Sequence, residues 1–274
     1  MRRIAAAIVS YFSDGDALTA TVLGLARASA HAGSPVRLTL VDNTDAASDS
    51  ARLDELILAW RASLPADSLL TIARLSPGSN RGYGAGNNAA LTDLTEDIVL
   101  VLNPDAVLEA DALHEALQAL AARPDCALIA PRAFSPEGSD LYLGHGHPSL
   151  LALAGRSMRW LRQYRVVSES IARYELRDAD ATRPHERIVC ASGCFMLMPA
   201  WSWRASGGFD PAFFLYFEDY DLSMRLRKLG SICYAPAVRL VHLGGDASGK
   251  GWRHTRLFIT SAARFFMRYG WRWQ

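Results

Sequence analysis

Apolar and polar positions along the first half of the chain succeed one another as strand and helix patterns in turn. Ile4 to Ser10 is a continuous apolar run, as expected of a strand buried on both faces, and Ala17 to Ala30 repeats apolar positions at helical spacing. Val36 to Val41 alternates before the turn pair Asp42-Asn43. Leu53 to Leu64 predicts a helix, Leu69 to Leu75 a strand, Gly86 to Leu94 a helix, and Ile98 to Leu102 a strongly apolar strand stopped by Asn103-Pro104-Asp105. A helix over 110–122 and a strand over 127–131 continue the series. Such alternation predicts an α/β fold with a mostly parallel central sheet and helices on both faces. Ligands bind such sheets beyond the carboxyl ends of the strands, where the polar clusters at Ser10, Asp42 and Asn103 fall.

The pattern weakens after about residue 135, where glycines and Pro148 interrupt the chain and 177–187 is a charged run without apolar periodicity. This stretch is expected to be loops and short elements. Order returns over 188–198, over 213–229 as a strand or loop leading into a helix, and over 232–234 and 238–243 as two short strands.

Composition narrows the function classes. Half the 274 residues are hydrophobic and 21% are charged, which excludes bulk disorder. With 29 basic against 28 acidic side chains, the net charge of +1 speaks against a global polyanion binder, so no nucleic-acid partner is expected. Four scattered cysteines do not make a disulfide framework and fit a reducing, cytoplasmic location. The apolar start is shorter than most signal peptides, and no apolar run reaches the length of a bilayer span.

Two carboxylate sites stand out. Asp105, at the abrupt end of an apolar strand, suits a hard divalent cation that keeps water and phosphate oxygens as its other ligands, or else caps the next helix. Glu218-Asp219-Tyr220-Asp221 sets three acids in aromatic surroundings. A helix N-terminus accounts for one of them; three exceed what a cap requires and point to a general base beside a substrate hydroxyl. Asn80-Arg81-Gly82-Tyr83-Gly84-Ala85-Gly86-Asn87-Asn88 is a glycine-rich turn entering a helix. Its spacing and its place after the third strand miss the dinucleotide fingerprint, leaving a close backbone approach near a bound nucleotide or sugar. Gly244 to Gly251 is a near miss to a phosphate loop, with Lys250 as a candidate phosphate contact and His242 before it as a candidate metal ligand. His145 and His147 are taken as loop residues, and Cys190 and Cys194 as small core residues.

The stretch 252–274 carries Arg253, Arg256, Arg264, Arg268 and Arg272 with no acid, interleaved with aromatic and aliphatic residues. Arg156, Arg159, Arg162 and Arg165 beside Trp160 make a second such segment. Both suit an anionic membrane surface; the alternative for 252–274 is a terminal helix packing its aromatic face on the domain, and one helix can do both.

Taken in order, Val9-Ser10-Tyr11, Val41-Asp42-Asn43, the glycine-rich turn, Leu102-Asn103-Pro104-Asp105, Gly207-Gly208-Phe209-Asp210, Phe214-x-Tyr216-Phe217-Glu218-Asp219-x-Asp221 and Val241-His242 resemble the family 2 glycosyltransferases of GT-A fold, especially bacterial rhamnosyltransferase-like members. The resemblance implies a single GT-A domain over 1–251, with a nucleotide-sugar half (1–135) and an acceptor and base half (136–251), followed by a basic aromatic helix (252–274). It implies that Asp105, in an Asp-x-Asp variant whose first acid is replaced by Asn103, binds Mg²⁺ or Mn²⁺, with His242 completing the metal shell. Ser10, Tyr11, Asp42 and Asn43 would meet the nucleotide, and Asn80, Arg81, Gly82, Asn87 and Asn103 would line the donor site. Asp219 would be the base of an inverting transfer, with Gly193, Glu218 and Asp221 on the acceptor side. The donor implied is dTDP-rhamnose, with a UDP-hexose as alternative. The acceptor is a glycan or a polyprenyl-diphosphate-linked glycan at the inner membrane face. The competing readings are a non-catalytic nucleotide-sugar-binding protein and a pyrophosphorylase, the latter lacking its basic N-terminal loop.

Overall fold

The computed structural model describes residues 1–244 and 251–274. The predicted succession appears as β1 (Ile4–Ser10), α1 (Gly15–Ala32), β2 (Val36–Asp42), α2 (Ala47–Ser63), β3 (Leu70–Leu75), α3 (Tyr83–Ala90) and β4 (Ile98–Leu102). A three-residue strand not anticipated, β5 (Ala106–Leu108), precedes α4 (Ala112–Ala122) and β6 (Cys126–Phe134). All seven residues of β1 are buried, which is why its sequence is apolar throughout. Asp14 starts α1 by accepting from the amides of Asp16 and Ala17, and Gly33 ends it in a left-handed conformation.

The second half is more ordered than its sequence suggests. After the short strands β7 (Asp140–Leu141) and β8 (Gly144–His145) come α5 (Leu150–Ser157), a 3₁₀ turn (Arg159–Gln163) and α6 (Arg165–Tyr174). Helix α6 buries Val167, Ser170, Ile171 and Tyr174, a helical stripe whose serine hides the apolar period. Then follow β9 (Cys190–Ala191), β10 (Phe195–Pro199), α7 (Ala200–Ser206), α8 (Glu218–Leu226), β11 (Ser231–His242) and α9 (Gly251–Tyr269). The two short strands expected near the end are one strand, β11, whose register shifts between Ala235 and Arg239, around Pro236.

The nine-stranded sheet among the described residues has the order β3-β2-β1-β4-β10-β6-β11-β5, with β7 beside β6. Strands β3, β2, β1 and β4 run parallel, as do β6 and β11; β10 is inserted antiparallel between β4 and β6, and β5 is antiparallel to β11. The sheet is mostly parallel, as predicted, and the reversal of β10 shapes the site. Because β10 runs backwards, the residues just before it sit at the carboxyl end of β4. Asn103 accordingly donates its amide to the Cys194 carbonyl at 2.9 Å. Two apolar clusters, around Leu38 and Leu100 on one face and around Val99 and Met196 on the other, make the core. A third gathers Phe213, Phe217, Phe265 and Phe266, so α9 is packed on the domain. Burial of the two α9 phenylalanines contributes roughly 2 kcal/mol each.

Candidate active site

One rim of the sheet collects the chemistry. Ser10 ends β1, Asp42 and Asn43 end β2, Asn103 to Asp105 follow β4, Gly193 precedes β10, and His242 ends β11. Pairing of His242 with Ala106 brings the imidazole beside the preceding carboxylate, with Nε2 3.2 Å from Asp105 Oδ1. A Cβ on Gly244 would come within 2.2 Å of Asp105 Oδ2, so the chain passes close to this carboxylate. Among the described residues no third histidine, cysteine or acid joins this pair. One carboxylate oxygen and one imidazole nitrogen still suit a divalent cation whose remaining ligands are water and diphosphate oxygens.

The segment that carries Glu218, Asp219 and Asp221 is built by an unusual backbone. Tyr216 and Phe217 both have positive φ, 69° and 64°, a region L-residues seldom occupy. Packing of the Phe217 ring against Phe258 and Phe265 holds the turn, and α8 starts immediately after it. Asp219 then lies in the first turn of α8, where its Oδ2 accepts from the Gly193 amide and its Oδ1 from the Tyr220 amide, each at 2.9 Å. Burial lifts its pKa to about 6, against the opposing effect of these two donors. Glu218 is buried; burial first and the neighbouring Asp219 charge second push its carboxyl well above the usual range. At neutral pH the pair therefore carries its negative charge on Asp219.

Gly193 links Asp219 to the rest of the rim. Its carbonyl accepts from the Tyr83 hydroxyl at 2.7 Å, and its neighbour Cys194 holds Asn103. Asp219 and Asn103 are thus both hydrogen-bonded to one short segment, Gly193 and Cys194. Next to Tyr220, His145 is buried, stacked on Tyr174 with centroids 4.5 Å apart, and its Nε2 accepts from Arg156 at 3.0 Å. Since arginine only donates, the ring proton sits on Nδ1, directed to the Tyr220 hydroxyl 3.4 Å away. Burial and the adjacent guanidinium keep this imidazole neutral. His145, expected to be a loop residue, belongs to the packing behind Tyr220; its isolated glycine-rich context offered no sign of this.

The glycine-rich turn approaches protein. A Cβ on Gly82 would lie 2.3 Å from the Phe214 carbonyl oxygen, on Gly84 2.8 Å from Phe209 Cβ, and on Gly86 2.9 Å from a Val9 methyl. The G-x-G-x-G spacing therefore seats α3 against β1 and against the segment leading to α8, and the expected backbone approach to ligand gives way to this packing. Asn43 stitches the turn to β2, donating to Asn80 Oδ1 and the Gly82 carbonyl and accepting from the Arg81 amide. Asn88 clamps Phe209 through both its backbone groups, at 2.8 and 2.9 Å. Asn87 is buried and donates to the Tyr83 carbonyl.

Other expected site residues are placed differently. Asp42 is 0% exposed and accepts from Thr44, Ser50, Ser76 and Arg74, the last at 2.6 Å. Burial raises its pKa, but these hydrogen bonds outweigh it and hold the carboxyl at about 2. Its oxygens, expected to meet a nucleotide, are turned to protein. Asp221 is likewise 0% exposed, held by Arg225 at 2.8 Å, Arg268 at 2.6 Å and the Tyr269 hydroxyl at 2.8 Å. It ties α8 to α9, and its carboxylate, expected on the acceptor side, is engaged by these protein partners. Ser10 is buried, with its hydroxyl on Ser13; Tyr11 and Arg81 are exposed on the rim. Lys250 lies outside the described residues.

With this geometry in hand, the relatives are informative. N-acetylglucosaminyl-diphospho-decaprenol L-rhamnosyltransferase of Mycobacterium tuberculosis is 29% identical over 194 residues, 65% of this chain and 61% of that protein. Rhamnosyltransferase WbbL of Escherichia coli is 28% identical over 180 residues, 60% of this chain and 62% of that protein. The chain thus spans about three fifths of the length of these curated relatives. Among solved structures, GalNAc-T7 with UDP, GalNAc and Mn²⁺ superposes over 97% of this chain and 48% of its own, with a TM-score of 0.64 at 13% identity. Mannosyltransferase PcManGT from Pyrobaculum calidifontis, in complex with GDP-Man and Mn²⁺, superposes over 96% of this chain and 64% of its own, with a TM-score of 0.58 at 15% identity. At such identities the likeness speaks to the fold, which is the GT-A arrangement. A family model described as glycosyltransferase like family 2 matches residues 2–273, essentially the whole of the sheet, its rim and α9, and the chain belongs to that family.

Proposed function

We propose that this glycosyltransferase moves L-rhamnose from dTDP-rhamnose, with inversion, to a hydroxyl of a polyprenyl-diphosphate-linked glycan during assembly of a bacterial surface polysaccharide. The observation that carries the reading is Asp219: one carboxylate, fixed by two backbone amides, with its pKa lifted to about 6. A base so tuned is ionised at neutral pH yet keeps more affinity for a proton than an ordinary aspartate. The acceptor oxygen forms its bond to the anomeric carbon as Asp219 takes the hydroxyl proton, and the bond to the diphosphate breaks with its electron pair leaving on the nucleotide. With one base and, among the described residues, no second carboxylate assigned as nucleophile, this reading makes the displacement single, with inversion of the anomeric configuration.

Asp105 and His242 would hold Mg²⁺ or Mn²⁺, which when bound neutralises charge on the departing diphosphate. Tyr11 and Arg81, exposed on the rim, would meet the base and the phosphates, and Asn43, Asn80, Asn87 and Asn103 would shape the donor site around them. Lys250 would add a phosphate contact. Gly193 and Glu218 set the position and charge of Asp219 beside the acceptor. The rhamnosyltransferase relatives support the choice of sugar and, in the mycobacterial case, a lipid-diphosphate acceptor.

The test is transfer from dTDP-L-rhamnose to N-acetylglucosaminyl-diphospho-polyprenol, with Mg²⁺, Mn²⁺ or EDTA, reading the new linkage by NMR. A product anomer opposite to that of the donor is expected. Retention sinks the inverting mechanism, and transfer only from UDP-glucose replaces the donor.

A further inference from the structure

Two acid-free stretches far apart in sequence, 150–168 and 251–274, meet in space. The Leu150 and Leu151 amides at the start of α5 donate to the Arg272 and Trp273 carbonyls, at 2.9 and 3.2 Å. Leu150 and Leu153 pack into the Phe265–Phe266 cluster, and Phe266 stacks on Trp271 with centroids 5.4 Å apart. The inner side of α9 is thereby satisfied. Its outer side still carries Trp252, Ile259 and Met267, 78%, 61% and 70% exposed, on one helical stripe at i, i+7 and i+15. Trp273 and, from the other stretch, Trp160 are exposed too, at 73% and 62%. Large apolar side chains gathered on one side of a molecule mark a contact surface.

Charge says what the surface meets. The two stretches hold nine arginines and no acid, so the rest of a chain with net charge +1 has a net charge of −8. Arg268, Arg156 and Arg165 are engaged by acids from outside the two stretches, which leaves Arg253, Arg256, Arg159 and Arg272 among those exposed and, within the described residues, in no ion pair, and an anionic plane would attract them. We propose that this joined surface docks on an anionic lipid bilayer, with its tryptophans and aliphatic tips among the headgroups and its arginines on lipid phosphates. Exposed Ile259 and Met267 favour a partner with an acyl boundary over a nucleic acid, which offers none.

The opposite side of the same helix touches the base segment. Tyr216 Oη lies 3.0 Å from His254 Nδ1, Ser261 donates to the Leu215 carbonyl at 2.8 Å, and Arg268 reaches Asp221. Docking would therefore hold Asp219 close above the membrane, at its cytoplasmic face, where a lipid-linked acceptor presents its sugar. The surface itself stands apart from the choice of acceptor, and its test uses neither donor nor acceptor.

The full chain is sedimented with vesicles of phosphatidylcholine alone and of phosphatidylcholine with 30% phosphatidylglycerol, at low and high salt. Binding is expected only to the mixed vesicles and is expected to fall at least about tenfold as salt screens it. Each arginine near such a surface contributes roughly a fivefold factor in partitioning, so Arg253→Glu with Arg256→Glu should lower it by about 25-fold or more. Trp252→Ala with Trp273→Ala should lower it severalfold, while the melting temperature of both variants stays near the parent's. Equal binding to both vesicle types, or binding that both double variants retain, overturns the proposal. So does equal affinity for duplex DNA, or a dimer that the tryptophan variant converts to monomer, which would assign the surface to a second copy.

Discussion

Asp42 and Asp219 are the same side chain at two ends of the same rim, and the protein treats them in opposite ways. At the end of β2, Asp42 accepts from hydroxyls, an amide and the Arg74 guanidinium, and its pKa falls to about 2. At the start of α8, Asp219 is partly withdrawn from water and, among the described residues, accepts from two backbone amides and forms no ion pair, so burial lifts its pKa to about 6. Burial alone therefore does not decide a carboxylate's state; the donors that accompany it do. The first arrangement stabilises the fold. The second holds a charge at a cost in stability, as a catalytic base requires.

The sharpest way to break the comparison is to neutralise each acid. Asp219→Asn should lower transfer by about 10²–10⁴-fold, the range for loss of a general base, with donor binding by calorimetry nearly unchanged. Full activity would remove Asp219 from the mechanism. The same variant should be more stable at pH 7 by something of the order of 2 kcal/mol, because a carboxyl whose folded pKa is raised loses stability as pH climbs from about 4 to 6. Arg268→Ala, which leaves the buried Asp221 short of one cation, should cost about 3 kcal/mol in denaturant unfolding, and a cost below 1 kcal/mol would show that Arg225 and Tyr269 suffice.

Asp42→Asn should run the other way from Asp219→Asn, costing roughly 2 kcal/mol at neutral pH. The sign follows from the depressed pKa: the contribution is complete above about pH 4 and is lost as pH falls toward 2. Unfolding curves of parent and variant should therefore converge in acid, and a constant gap would refute the linkage. The smallest effect to look for is in the pH profile of transfer, whose acid limb should have its midpoint near 6 and fall tenfold per unit below it. A midpoint near 4 would mean that bound substrate restores an ordinary aspartate.

Much of the fold was legible because its first half obeys simple periodicity. The uninterrupted apolar runs of β1 and β4 identify central parallel strands, and their abrupt ends point to the rim. Helices α5 and α6 were not legible, since Ser170 and Gly155 occupy positions on their buried faces. Gly155 is there because a Cβ would strike a Val167 methyl at 2.3 Å, a constraint set by the neighbouring helix. In the site, the acid cluster and Asp105 were visible as residue types out of place. Their division of labour was not: Asp219, Glu218 and Asp221 are adjacent letters, yet one is held by amides, one is buried against its neighbour's charge, and one is enclosed by Arg225 and Arg268.

The sequence by itself determined the order of strands and helices, the rim on which polar groups collect, and the two arginine-rich, acid-free stretches, because each depends on residue spacing or composition within one segment. Only the tertiary structure decided that β10 runs backwards and brings Gly193 to Asp219, that His242 meets Asp105, and that 150–168 joins 251–274. Those contacts unite residues about 26 to 137 positions apart, and no local pattern specifies which distant partner will satisfy a buried amide or charge.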